Sequence, residues 1–108
     1  MQKIYKRFFL LLPFICALTT FANAQISYYS GSSGEGSNLS NWWTNTNGTG
    51  ANPLDFVSGD DFIIQTGHSI TVSTVNWTLT SNSLTTEASS TLTISSTFNL
   101  IFTGFLDH

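Results

Sequence analysis

The chain of 108 residues has one cysteine, two prolines and three basic residues. Each scarcity excludes something. Cys16 has no second cysteine to pair with, so no internal disulfide can staple the chain. Lys3, Lys6 and Arg7 are the whole basic complement. From Gln25 onward the acids are Glu35, Asp55, Asp60, Asp61, Glu87 and Asp107, with no Lys or Arg, so that part is formally six negative and none positive. Nucleic acid is excluded as a partner, because nothing there can neutralise phosphates. Polyanionic polysaccharides and anionic membranes are disfavoured for the same reason. No Gly-x-Ser-x-Gly elbow occurs among the many serines, and no lysine after position 7 can act as a base. The expectation is a protein with no catalytic residues and no cofactor.

The start of the chain has its own composition. A basic opening is followed by an apolar run, Phe8 to Phe21, and then by Ala22-Asn23-Ala24. That order is a secretory signal peptide over residues 1–24, with cleavage after Ala24. The run is shorter than the roughly 20 residues a membrane span needs. Phe14 and Ile15 precede Cys16, where a lipoprotein signal has small residues, so lipid attachment is not expected. The remaining chain is expected to be secreted or held at the cell surface, with no membrane span after cleavage.

Residues 25–60 read as a loop-rich aromatic segment that caps the strand repeats after it. Gln25 to Ser30 is a candidate strand, Ser30 to Ser40 is Gly/Ser-rich loop, and Trp42-Trp43 is an aromatic island. Asn45 to Pro53 is dense in turn residues. Residues 61–108 read as strand repeats. Candidate strands are Phe62 to Gln65, Ser69 to Ser73, Asn76 to Thr80, Ser83 to Thr86, Thr91 to Ser95 and Thr97 to Phe102. Apolar and hydroxyl residues alternate along them, which suits strands with one buried face, and helical spacing is absent. Ile70-Thr71-Val72-Ser73-Thr74 returns as Leu92-Thr93-Ile94-Ser95-Ser96, and Trp77 and Leu79 return as Leu100 and Phe102. A period in the low twenties suits one coil of a β-solenoid. The fold class is therefore all-β, with short strands in a parallel β-helix or solenoid. The alternative is a small antiparallel β-sandwich, in which Ser69–Ser73 would pair with a neighbour running the opposite way. Solenoids need about three repeats and a cap, and no polar cap comes after Phe105-Leu106. This predicts a fragment from the front of a longer β-repeat protein, or an edge that associates with another chain.

Four pieces, in order, resemble one family: Tyr28-Tyr29-Ser30 before Gly-rich sequence, Leu39-Ser40-Asn41-Trp42-Trp43, Asn52-Pro53 leading to Phe56, and Gly59-Asp60-Asp61-Phe62-Ile63-Ile64-Gln65-Thr66-Gly67-His68-Ser69-Ile70-Thr71-Val72. Together they resemble the N-terminal module of bacterial surface proteins exported by the type IX pathway. The resemblance implies a large secreted protein with β-helical or strand-repeat regions and an adhesive role. It implies no catalytic residues in this module. The C-terminal sorting domain of such proteins is missing here, which fits a truncated member.

Several residues carry a functional reading beside an ordinary one. Asp60-Asp61, with Asp55, offers oxygen ligands to calcium; the ordinary reading is Asp capping its own turn. His68 comes after Gly67 in a turn and has no second His or Cys nearby to complete a metal site. Trp42, Trp43, Trp77 and Tyr28 would make a sugar-stacking platform if they lie coplanar and exposed. The ordinary reading is that these rings close the end of the core. Asn38, Asn47 and Asn76 open Asn-x-Ser/Thr acceptor patterns, which are frequent by chance in such a composition. The expected function is a secreted or cell-surface structural, adhesin-like protein. The alternatives are a carbohydrate-binding module that takes surface glycan, or the non-catalytic start of a larger secreted hydrolase. The downstream partner would be further β-repeats of a longer chain, or a second copy meeting it edge to edge.

Overall fold

The structure is a computed structural model that describes residues 25–107. The signal-peptide expectation and Cys16 fall outside these residues. The described chain is all-β: β1 (Ser27–Ser30), β2 (Gly34–Glu35), β3 (Trp42–Trp43), β4 (Asp61–Ile64), β5 (Ser69–Val72), β6 (Trp77–Thr86), β7 (Thr91–Ile94) and β8 (Leu100–Asp107). A short 3-10 turn, Leu39–Asn41, is the only helical piece among the described residues.

Two sheets face each other. One has the order β3-β1-β4-β6-β8 and the other β2-β5-β7. The first sheet is mixed, because β3 runs antiparallel to β1, whereas β1, β4, β6 and β8 are parallel. The second sheet is parallel throughout. The repeat in the sequence is the register of the sheets. Ile70 lies against Leu92 and Val72 against Ile94. Trp77 lies against Leu100 and Leu79 against Phe102. The antiparallel pairing of the sandwich alternative is not the one observed: Ser69–Val72 runs parallel to Thr91–Ile94.

The alternation explains the burial. Ile70 and Val72, one pleat apart, are buried, while Ser69 is exposed. In β6, Trp77, Leu79, Ser81 and Leu84 point inward and Thr78, Thr80 and Asn82 point out. The core joins Phe62, Ile64, Leu79 and Leu84 from one sheet to Ile70 and Val72 from the other, with Tyr28, Trp42 and Trp77 in the same cluster. Removing each such side chain from water contributes roughly 1.5–3 kcal/mol. Hydroxyls and amides repeat on the outside. The Thr91 hydroxyl donates to the Ser69 hydroxyl at 2.9 Å across 22 residues. The Asn99 amide donates to Asn76 Oδ1 at 2.9 Å across 23 residues.

The turns repeat as well. The His68 amide donates to the Gln65 carbonyl at 3.0 Å, and the Ser90 amide to the Glu87 carbonyl at 3.1 Å. The left-handed position is Gly67 in the first turn (φ 82°) and Ser89 in the second (φ 62°). The upper turn rests on the lower one, because Glu87 Oε1 accepts from the Thr66 amide at 3.0 Å.

Three boundaries differ from the sequence expectation. Asn76–Thr80 and Ser83–Thr86 form one strand, β6, with an irregularity between Thr80 and Ser83. The last strand starts later and runs further than Thr97–Phe102, passing through Gly104 to Asp107. Gly104 has φ 142°, and a Cβ there would collide with the Ser81 carbonyl oxygen, so the bulge needs glycine. Finally, 25–60 does not stand apart from the repeats: β1 pairs with β4 and β2 with β5.

Candidate functional site

The four aromatic residues of the sugar-platform reading do not share a surface. Trp42 is 0% exposed, Trp77 1% and Tyr28 6%. Trp42 stacks on Trp77 at 5.8 Å between centroids and meets Phe62 edge-on at 5.2 Å. Tyr28 stacks on Phe62 at 5.5 Å. Only Trp43 is partly exposed, and one ring is not a platform. A planar binding face made of Trp42, Trp43, Trp77 and Tyr28 is therefore absent, and three of these rings belong to the core. The reason is local. Gly36 lets the Trp77 ring approach the backbone, since a Cβ there would lie 2.5 Å from the ring. The Gly36 carbonyl then accepts from the Trp42 indole N–H at 2.9 Å. Asn52 Nδ2 holds the Trp42 carbonyl at 2.7 Å. The Trp77 indole N–H is buried without a partner among the described residues.

Asp55, Asp60 and Asp61 each have a task within the chain. Asp55 Oδ1 accepts from the Val57 amide at 3.0 Å and the Ser58 hydroxyl at 2.7 Å. The Ser58 hydroxyl, followed by the Val57 amide, holds the Asp55 carboxyl below its ordinary range. Asp60 Oδ1 accepts from the Ile26 amide at 3.1 Å, and thereby ties the start of the described chain to the turn before β4. Asp61 Oδ1 accepts from Asn82 Nδ2 at 2.8 Å and the Ser83 hydroxyl at 2.7 Å, both on β6. Asp61 thus faces β6, whereas Asp55 and Asp60 share a notch. No three metal-ligating side chains gather among the described residues.

That notch has a cavity volume of about 280 Å³ and is lined by Gln25, Ile26, Tyr28, Leu54, Asp55, Ser58 and Asp60. Tyr28 reaches it from β1, and the others come from the turns beside β1 and β4. Burial pushes the Tyr28 phenol pKa up, and Asp60 and then Asp55 push it further, so both carboxylates act on the phenol. No hydrogen bond occupies the Tyr28 hydroxyl among the described residues. Leu54, 95% exposed, stands at the rim with Ile26. Sequence reasoning missed this arrangement. Asp55 and Asp60 were legible as turn acids, but Tyr28 is far from them in sequence and meets them only through the β1–β4 pairing.

His68 sits in a polar network. Ser30, fully buried, accepts from the Gln65 amide at 2.9 Å and shares a 2.7 Å hydrogen bond with His68 Nδ1. Ser30 donates in this bond when Nε2 carries the ring proton and accepts when Nδ1 carries it. Gln65 Nε2 donates to the Ser30 carbonyl at 2.7 Å and the Thr46 carbonyl at 2.8 Å. The buried serine cannot reach a substrate, so the pair pins a turn and is not a nucleophile with its base. Asn38, Asn47 and Asn76 are all exposed.

On the second sheet, Glu35 closes β2 onto β5. Its carboxylate accepts from the Ser73 hydroxyl, the Ser73 amide at 3.1 Å and the Thr71 hydroxyl at 3.1 Å. The Ser73 hydroxyl is the main cause of a carboxyl pKa below its ordinary value. At the far end, β7 and β8 are the outermost strands of their sheets, and Ile94, Ile101, Phe105 and Leu106 are exposed there.

Comparison with known proteins adds no family to this picture: no family model matches the chain, and searches of curated proteins and of solved structures return no match.

Proposed function

We propose that this chain is an exported, non-catalytic scaffold of the bacterial cell surface, built as a parallel β-solenoid whose open end takes a further coil. The observation that carries the reading is the repeated register. Asp61 lies beside Ser83, Ile70 beside Leu92 and Trp77 beside Leu100, so each coil is a template for the next. The two ends differ. At one, β3 turns antiparallel and Trp42 closes the core. At the other, β8 has an edge with apolar side chains, no lysine and no partner strand among the described residues, the kind of edge that pairs with another strand. A coil from a longer chain, or a second copy edge to edge, satisfies that edge. The basic, apolar and Ala-x-Ala order of residues 1–24 supports export, and the four pieces shared with type IX-exported modules support a surface location and an adhesive role.

The test is to express the full chain in a bacterial host and to sequence the N-terminus of the material recovered outside the cytoplasm. Material beginning at Gln25 supports the reading. Full-length material retained in the cytoplasm refutes export, and with it the surface role.

A further inference from the structure

The notch beside β1 has a chemistry that the scaffold reading does not use. Two carboxylates, Asp55 and Asp60, line it, and each has one oxygen engaged by hydrogen bonds within the chain at Oδ1. Two acids alone make no site. The second observation is Tyr28. Its side chain is more than nine-tenths buried and lines the notch, its ring is held against Phe62, and its hydroxyl has no hydrogen-bond partner among the described residues. A third feature is the rim. Leu54 is almost fully exposed and Ile26 about half exposed, so apolar surface lies beside the acids.

We infer that the Tyr28–Asp55–Asp60 notch is a receptor for a lysine or arginine side chain presented by a partner protein. A cationic head on an aliphatic stem matches both parts. The stem covers Leu54 and Ile26, and the head donates to the Oδ2 atoms and the phenol oxygen. A cavity of about 280 Å³ holds one such side chain. Residues 25–107 contain no Lys or Arg, so this part of the chain cannot fill the notch itself. The six acids carried by this part also favour the approach of a basic partner through long-range attraction. Tyr28 of the notch stands on β1, which β4 and β6 separate from the β8 edge, so its role is separate from the scaffold role. It stands whether or not those edges accept a coil.

The experiment titrates isotope-labelled protein with acetyl-arginine methylamide and acetyl-lysine methylamide and follows the NMR signals of Tyr28, Leu54 and Ser58. Acetyl-norleucine methylamide, glucosamine and calcium chloride are the comparison probes. The expected result is saturable shifts at those residues with the two cationic amides, with a Kd of about 1–10 mM for a single side chain. Asp55→Asn and Asp60→Asn each weaken binding about 2- to 5-fold, the size of a solvent-accessible ion pair, and Tyr28→Phe weakens it while the core signals stay in place. Binding falls as salt rises from 20 to about 500 mM. Equal binding of the norleucine amide, shifts that do not saturate, or variants that bind like the parent overturn the inference. So does a preference for glucosamine or calcium, which assigns the notch to an amino sugar or a metal.

Discussion

Trp42 and Trp77 allow a prediction in which most of the energetic terms cancel. Both indoles are fully buried, and they stack on each other. Each also has one further aromatic neighbour, Phe62 for Trp42 and Phe56 for Trp77. Substitution by phenylalanine deletes the same atoms at both positions. It removes the same indole–indole stack and leaves a cavity of similar size. The one clear difference is the N–H. Trp42 donates to the Gly36 carbonyl, and Trp77 donates to nothing among the described residues. Trp42→Phe therefore leaves the buried Gly36 carbonyl without its donor, at about 1–3 kcal/mol. Trp77→Phe removes a buried donor that was already unsatisfied, which offsets part of its packing loss. Trp42→Phe should thus be the more damaging by about 1–3 kcal/mol. With a urea m-value of about 1–3 kcal/mol/M, the two midpoints separate by about 1 M. Urea unfolding followed by far-UV circular dichroism measures the difference. Equal midpoints, or a lower midpoint for Trp77→Phe, would refute the assignment of the hydrogen bond to Trp42.

Single positions elsewhere in the chain give four more expected outcomes. Gly104→Ala drives a Cβ onto the Ser81 carbonyl and should destabilise by more than about 1 kcal/mol, with loss of amide protection concentrated in β8 as read by hydrogen exchange. Ser89→Gly removes a non-glycine residue from the left-handed position that Gly67 occupies one coil earlier, and should raise stability by about 0.5–1 kcal/mol in the same urea assay. The Glu35 carboxyl is lowered by its hydroxyl and amide donors, so its contribution is complete above the ordinary value of 4.5 and is lost as pH falls through the lower folded value. Glu35→Gln should accordingly flatten the acid side of the stability–pH curve and leave the slope near neutrality unchanged. Phe105→Lys and Ile101→Lys place charge on the exposed β8 edge and should reduce concentration-dependent association in sedimentation, without lowering stability by more than about 0.5 kcal/mol.

The legible part of the fold reflects how a parallel stack is built. Strands paired in parallel register present the same kind of residue to the same place, so Ile70 and Val72 return as Leu92 and Ile94. That repetition survives as a pattern in the chain. The strand alternation was legible for the same reason, because hydroxyls on the outer face do not disturb the apolar inner face. Pairings that depend on backbone alone left no such trace. Gly34–Glu35 is a strand because β5 lies beside it, although its Gly/Ser surroundings read as loop. The continuity of β6 and the extension of β8 depend on a bulge that Gly104 permits, and a glycine inside a strand pattern does not announce which partner it accommodates.

The candidate site was legible only in part. Asp55 and Asp60 stood out as turn acids and the tryptophans as rings that close the core, with calcium and sugar as the functional readings beside them. The structure puts Trp42 and Trp77 inside, where a small cysteine-free core gains most from large rings. It puts Tyr28 between that core and the two acids, which no local pattern in the sequence indicates. The Ser30–His68–Gln65 network was invisible for the same reason, since it joins β1 to the turn after β4.

The parallel in-register stack is the claim on which the scaffold reading rests, and methyl NOEs between β5 and β7 test it most directly. In the parallel register Ile70 lies against Leu92 and Val72 against Ile94, with neighbouring strands about 4.8 Å apart. The account predicts strong methyl NOEs for those two pairs. Strong NOEs from Ile70 to Ile94 and from Val72 to Leu92 instead would mean the strands run antiparallel, and would contradict it.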